Sequence, residues 1–173
     1  METTFTPVIS PDQQVELAKL ADEIWHEYWP ALIGIDQTDY MVDNFQSIEA
    51  IKRDMTENNY EYWFIEAQDE EGKRIVGYTG GHDEPETNRF FISKIYLLAE
   101  ERGRGFASRT IAFYEDLCRS RGFHAMYLTV NKGNDLGIRA YKGKGFETID
   151  AVETDIGEGY VMDDYIMEKP VAR

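Results

Sequence analysis

Cys118 is the single cysteine of this 173-residue chain, so an internal disulfide is excluded and no cysteine cluster exists for a structural zinc site. Its place in a helical apolar pattern marks it as a small core residue. No flanking signature or His partner supports a reactive thiol. The three histidines, His26, His82 and His124, are too scattered for metal-ligand spacing, so no metal is expected. Long apolar runs are missing as well, and Met1-Glu2-Thr3-Thr4-Phe5 has neither the basic start nor the apolar core of a secretory signal. A cytoplasmic protein without a membrane partner is the expectation. Neither G-x-S-x-G nor G-x-x-x-x-G-K-[ST] occurs, and no repeat, low-complexity tract or linker interrupts the chain. One domain over residues 1–173, large enough for its own core, follows.

Positive charge is scarce. There are 18 Lys and Arg against 33 Asp and Glu, a net charge of −15. Such a surface repels nucleic acid and anionic lipid and favours neutral or cationic ligands, while also serving plain solubility. Arg102 and Arg104 do not alter this, because Glu100 and Glu101 stand beside them and two arginines make a poor phosphate-tracking surface.

What is present centres on residues 90–118. Phe90-Phe91-Ile92-Ser93-Lys94-Ile95-Tyr96-Leu97-Leu98 has the β-branched and aromatic composition of a buried central strand. Ala107, Ile111, Tyr114 and Cys118 then recur at helical spacing, with Leu117 widening the same face and Arg109, Glu115, Asp116 and Arg119 off it. Between them lies Arg102-Gly103-Arg104-Gly105-Phe106-Ala107. The first N–H groups of a helix have no intrahelical partner, and its dipole favours an anion there. Gly103 and Gly105 allow positive φ and close approach, and the two arginines add charge. On these residues alone, a glycine-softened turn with solvated arginines remains open.

The six residues from Arg102 to Ala107 resemble the R/Q-x-x-G-x-G/A signature with which the GNAT superfamily of N-acetyltransferases holds the pyrophosphate of acetyl-CoA. A second block agrees in order and spacing. Met126-Tyr127-Leu128-Thr129-Val130-Asn131 is similar to the strand after the signature helix, and Asn134 through Tyr141 to Gly145-Phe146 resembles the family's N…A-x-x-x-Y-x-x-x-G-F helix. Together the two blocks cover roughly residues 88–148.

The resemblance implies an α/β (α+β) GNAT fold: one mixed, largely antiparallel central sheet with helices on both faces and a splayed parallel strand pair holding the cofactor. It assigns cofactor contacts to the main chain of Ile95 and Leu97, to Arg102, Gly103, Arg104, Gly105, Phe106 and Ala107, and to Asn134. Tyr141 would protonate the departing thiolate, since a phenol near its ordinary pKa of about 10 is protonated at neutral pH. Read without the resemblance, Ile95 and Leu97 are sheet core, Asn131 and Asn134 are helix caps, and Tyr141 is a packed tyrosine.

The flanking segments have compatible patterns. Residues 4–9 suit a short strand, and Ser10-Pro11-Asp12-Gln13 combines an N-cap, a proline at the first helical position and a capping-box Gln. Leu17, Leu20, Ala21, Ile24, Trp25 and Tyr28 follow at helical spacing until Pro30 closes the segment. Thr38 and Ser47 read as N-caps of further short helices. Residues 61–67 and 74–79 form a hairpin about an acidic turn, His82–Asn88 is a polar loop, and the last two strands are 151–155 and 160–168.

The implied reaction is direct acetyl transfer from acetyl-CoA to a primary amine, with a small cationic amine or polyamine favoured by the acidic balance. The layout is also similar to that of bacterial polyamine acetyltransferases. A peptide α-amine or Lys side chain is the rival acceptor, and a non-catalytic acyl-CoA sensor is a reading of another class. Phe90–Ser93 offers no carboxylate where several family members place a basic Glu. His82, Tyr78 and Glu66 are candidate relays for the proton, and none is assigned as the base. The fold is compatible with a homodimer.

Overall fold

The computed structural model describes residues 1–172. The strands are β1 (Glu2–Pro7), β2 (Glu61–Asp69), β3 (Gly72–Glu84), β4 (Arg89–Leu97), β5 (Ala125–Asn131), β6 (Glu147–Gly157) and β7 (Tyr160–Pro170). They form one mixed sheet in the order β1-β2-β3-β4-β5-β7-β6. The helices are α1 (Pro11–Tyr28), α2 (Pro30–Ile33), α3 (Ile35–Met41), α4 (Ile48–Glu57), α5 (Phe106–Arg121) and α6 (Asp135–Gly143), with a π-helical turn at Val42–Gln46.

β1 pairs antiparallel with β2, β2 with β3, β5 with β7 and β7 with β6. β4 and β5 are parallel. Their rungs run from Arg89↔Ala125 to Ile92↔Leu128, and both strands continue beyond them, β4 to Leu97 and β5 to Asn131.

The chain packs as two compact units, Met1–His82 with Lys94–Thr110 and Asp83–Ser93 with Ile111–Arg173, so that β4 and α5 each pass from one to the other. In the first unit, Leu17, Ala21, Ile24 and Trp25 form the buried stripe of α1. Phe106 is fully buried and clusters with Ile65, Ala67 and Val76, against which Phe5 and Leu97 pack. In the second, Ile111, Tyr114 and Cys118 are the buried face of α5, and Tyr114 meets Phe90 at 5.2 Å between ring centroids. Burial pushes the Cys118 thiol up to about 11, consistent with an inert core residue.

Side-chain caps start α1 and α4. Ser10 and Gln13 form the full capping box, with the Ser10 hydroxyl accepting from the Gln13 N–H at 3.2 Å and the Gln13 side chain accepting from the Ser10 N–H at 2.9 Å. Such a cap contributes about 1 kcal/mol. Ser47 likewise caps α4 through the Ala50 N–H at 3.2 Å.

Thr38 is not a cap. It lies inside α3, its hydroxyl donating to the Gly34 carbonyl at 2.7 Å, and Gly34 at φ +84° starts the helix. A threonine inside a helix can satisfy its hydroxyl on the preceding turn, so the same residue fits both positions. Asn131 closes a local turn onto the Gly133 N–H at 2.8 Å and leaves the capping of α6 to Asn134. β3 runs through residues 80–84, the last three of which were expected to lie in a polar loop. Gly80 there lies against the Tyr62 ring, which a Cβ would meet at 2.6 Å.

α1 and α3 are joined by a titrating contact. His26 Nε2 lies 2.6 Å from Asp39 Oδ1 and its Nδ1 lies 2.5 Å from Asp22 Oδ1. The hydrogen bond with Asp39, then the contacts with Asp22, raise the His26 pKa above its ordinary 6.5 in spite of partial burial. Its stabilisation is therefore complete below pH 6.5 and is lost as pH rises through the raised folded value. His26→Asn should lower stability by about 0.5 kcal/mol at pH 5.5 and by nothing measurable at pH 9, because the contact is solvent-screened. Urea unfolding at both pH values checks it.

Candidate active site

β4 ends at Leu97, a 3-10 turn follows at Ala99–Glu101, and α5 begins at Phe106. Three anchors fix the connection. Glu101 is only 5% exposed and accepts from Arg74 Nε at 2.7 Å and Nη2 at 3.0 Å. This pairing holds its carboxyl below the usual range. Arg74 also donates to Asp69 at 2.9 Å. Arg102 forks onto Glu27 at 3.0 and 2.6 Å and donates to the Leu97 carbonyl at 3.0 Å. Phe106 seats the helix start in the core, and Thr110 Oγ1 donates to its carbonyl at 2.8 Å.

Gly103 and Gly105 adopt φ +79° and +90°, the left-handed region in which a Cβ is costly. The Gly105 carbonyl accepts the Arg109 N–H at 3.1 Å, opening the helix, so the amides of Phe106, Ala107 and Ser108 have no intrahelical partner. Arg104 is exposed and its nearest carboxylates, Glu71 and Glu101, are 3.7 Å away. Arg109 donates to the Arg104 carbonyl at 3.2 Å. Positive-φ glycines and a helix N-terminus are the kind of backbone that suits a phosphate anion.

Arg102 pairs with Glu27, 75 residues earlier in the chain. Arg104 pairs with Glu71 and Glu101 at 3.7 Å each, and Arg109 lies across the same loop on the Arg104 carbonyl. Arg109 escaped the sequence reading because it lies off the apolar face of α5, yet one helical turn after Gly105 brings it back over the loop. Gly105→Ala should lower acetyl-CoA affinity about tenfold and stability by about 1–2 kcal/mol, from forced left-handed backbone and lost approach. Calorimetric titration and melting separate the two effects.

Ile95 and Leu97 are half-buried on β4 in the same unit as this turn. Asn134 and Tyr141 belong to the other unit. Asn134 caps α6, its Oδ1 accepting the Gly137 N–H at 3.0 Å. Tyr141 is half-buried, edge-on to Phe146 at 5.7 Å, and its carbonyl accepts the N–H groups of Lys144 at 3.0 Å and Phe146 at 3.1 Å. Gly145 at φ +97° turns the chain out of the helix.

The three relay candidates have structural partners. Tyr78 is fully buried, accepts from Trp25 Nε1 at 2.8 Å and donates to Gln46 Oε1 at 3.1 Å. Burial pushes its phenol well up, so it stays protonated. Glu66 lies 3.5 Å from Lys73. The His82 ring packs 5.2 Å from Tyr60.

Sequence reasoning passed over Lys94, a lysine at an inward position of β4. It is 8% exposed, donates to Tyr62 Oη at 2.8 Å and sits 5.0 Å from the centroids of Tyr60 and Tyr62. Burial pushes its ammonium down to about 8, against the attraction of Asp54. The alternation of Phe90, Ile92 and Lys94 was the available signal. Trp29 was also missed as a polar group: its indole N–H is buried without an acceptor among the described residues. No group of three or more His, Cys, Asp or Glu among the described residues is placed to hold a metal ion.

Residues 21–146 match the family model for the acetyltransferase (GNAT) family. The chain belongs to this family. It is 27% identical over 106 residues to YycN, an uncharacterised N-acetyltransferase of Bacillus subtilis (strain 168), a match taking in 60% of this chain and 66% of that protein. Among solved structures, the PaiA N-acetyltransferase from Thermoplasma acidophilum, in complex with coenzyme A, aligns with TM-score 0.75 and 19% identity over 98% of this chain and 99% of its own. A chimera of the spermidine N-acetyltransferase SpeG from Vibrio cholerae and hSSAT aligns with TM-score 0.69 and 17% identity over 98% and 96%. At these identities the structural likeness establishes the GNAT fold. No helix among the described residues is long and apolar enough to cross a membrane.

Proposed function

We propose that this GNAT protein transfers acetyl directly from acetyl-CoA to a primary amine, with a small cationic amine or polyamine as acceptor. The observation that carries the reading is the turn before α5. There, positive-φ Gly103 and Gly105, the open amides of Phe106 and Ala107, and exposed Arg104 suit a pyrophosphate. The main chain of Ile95 and Leu97 binds the pantetheine arm in the manner of an added strand. Asn134 adds a cofactor contact beyond its cap. The amine nitrogen attacks the thioester carbonyl, a C–N bond forms and the C–S bond breaks. The Tyr141 hydroxyl delivers the proton that leaves with CoA, and the amine proton is lost to solvent or to the phenolate.

Acceptor preference rests on the net charge of −15, which draws cations toward the protein. Residues 1–173 act as one catalytic domain in the cytoplasm. The test is release of CoA thiol from acetyl-CoA in the presence of polyamines, simple amines, amino acids, and N-terminal or Lys peptides. Release that requires polyamines or small amines supports the proposal. Release with peptides alone makes the protein a peptide acetyltransferase, and tight acetyl-CoA binding without turnover for any acceptor makes it a sensor.

A further inference from the structure

We propose that Asp164 receives an ammonium group of the acceptor other than the neutral nitrogen that is acetylated. Asp164 is held between two strands, opposite Asn131 of β5 and Val152 of β6, and is only 5% exposed. A carboxylate in such a place normally has a cation or hydrogen-bond donors of its own. Among the described residues none donates to it or pairs with it. The near cation, Lys132, is taken by Asp163 at 2.8 Å and lies 5.5 Å from the Tyr165 ring centroid. Asp163 and Tyr165 alternate to the opposite face of β7 from Asp164. Burial, reinforced by the charge of Asp163 and opposed by Lys132, pushes the Asp164 carboxyl up to about 6.

The location gives the orphan carboxylate a use. Its neighbour across the rung, Asn131, is the last residue of β5, and three residues later Asn134 caps the helix that carries Tyr141. All belong to one unit. A single carboxylate without further ligands does not hold a metal ion. A primary ammonium fits better, because it brings one compensating charge and N–H donors in a compact head.

This inference rests on the acetyltransferase reading but is tested apart from it. Spermidine binding to the CoA-loaded protein is measured by calorimetry for wild type, Asp164→Asn and Asp164→Ser, alongside CoA affinity and melting temperature. Both variants should bind spermidine about 30-fold more weakly with CoA affinity within about twofold of wild type. Asp164→Asn should melt no lower than wild type, since it removes an uncompensated buried charge. In turnover, KM for the amine should rise far more than kcat falls. Unchanged spermidine affinity in either folded variant, or no binding to wild type, overturns the proposal. Binding that depends on Asp164 without any acetyl transfer would instead support this site and reject the catalytic reading.

Discussion

Tyr141→Phe should reduce kcat for acetyl transfer about 100-fold, the range expected when a positioned general acid is removed, while leaving acetyl-CoA affinity within about twofold. The substitution removes one hydroxyl and keeps the ring that lies edge-on to Phe146 at 5.7 Å. The helix end should also survive, because it depends on the Tyr141 carbonyl, which accepts from Lys144 and Phe146. A fall in kcat with an unchanged melting temperature therefore isolates the proton delivered to the thiolate. If the variant turns over at the wild-type rate, CoA leaves without help from this phenol. Stopped-flow and steady-state assays at pH 7.5, with CoA thiol as the readout, distinguish the outcomes.

Gly77→Ala should destabilise the protein by about 3 kcal/mol or more, a core-overpacking effect at the upper end of the usual range. A Cβ at Gly77 would meet the Tyr96 carbonyl oxygen at 2.1 Å and the Leu97 Cα at 3.0 Å. Both obstacles are backbone, so no side chain can swing aside. The strand that would have to move also carries Ile95 and Leu97. The variant should consequently lose acetyl-CoA affinity together with stability. Gly143→Ala is the control: nothing lies within 4 Å of its Cβ position, and alanine is favoured over glycine in a helix. Urea unfolding should show a large drop in midpoint for the first and no loss for the second.

Local chemistry made much of this protein readable from its residues. Ser10, Pro11 and Gln13 announce the start of α1 by their side chains alone, and Pro30 ends the segment because its ring cannot continue the helix. The strand–glycine–helix order around Gly105 and the run to Tyr141 likewise depend on short-range spacing. Contacts across the chain were not readable. Arg102 pairs with Glu27, and nothing in the residues from Arg102 to Ala107 announces a partner 75 positions away. Arg74 and Glu101 are separated by 27 positions.

Composition concealed other features. Lys94 sits at an inward position of a strand, and only Tyr62 and Tyr60 explain how its amine is accommodated there. Asp164, in a run with Asp163, could have been a solvated edge residue. Its burial arises because β7 lies between β5 and β6, which is a property of sheet order. Thr38 marks the limit of capping rules, since its hydroxyl serves an internal turn as well as a helix start.

The most direct measurement of the central claim is single-turnover transfer from isotopically labelled acetyl-CoA, with the protein in excess and spermidine as acceptor. One acetylated amine carrying the label should appear for each CoA thiol released, at the same rate, with no labelled protein accumulating. Labelled acetate in place of the amide, or labelled protein formed before the product, would contradict direct transfer to the amine.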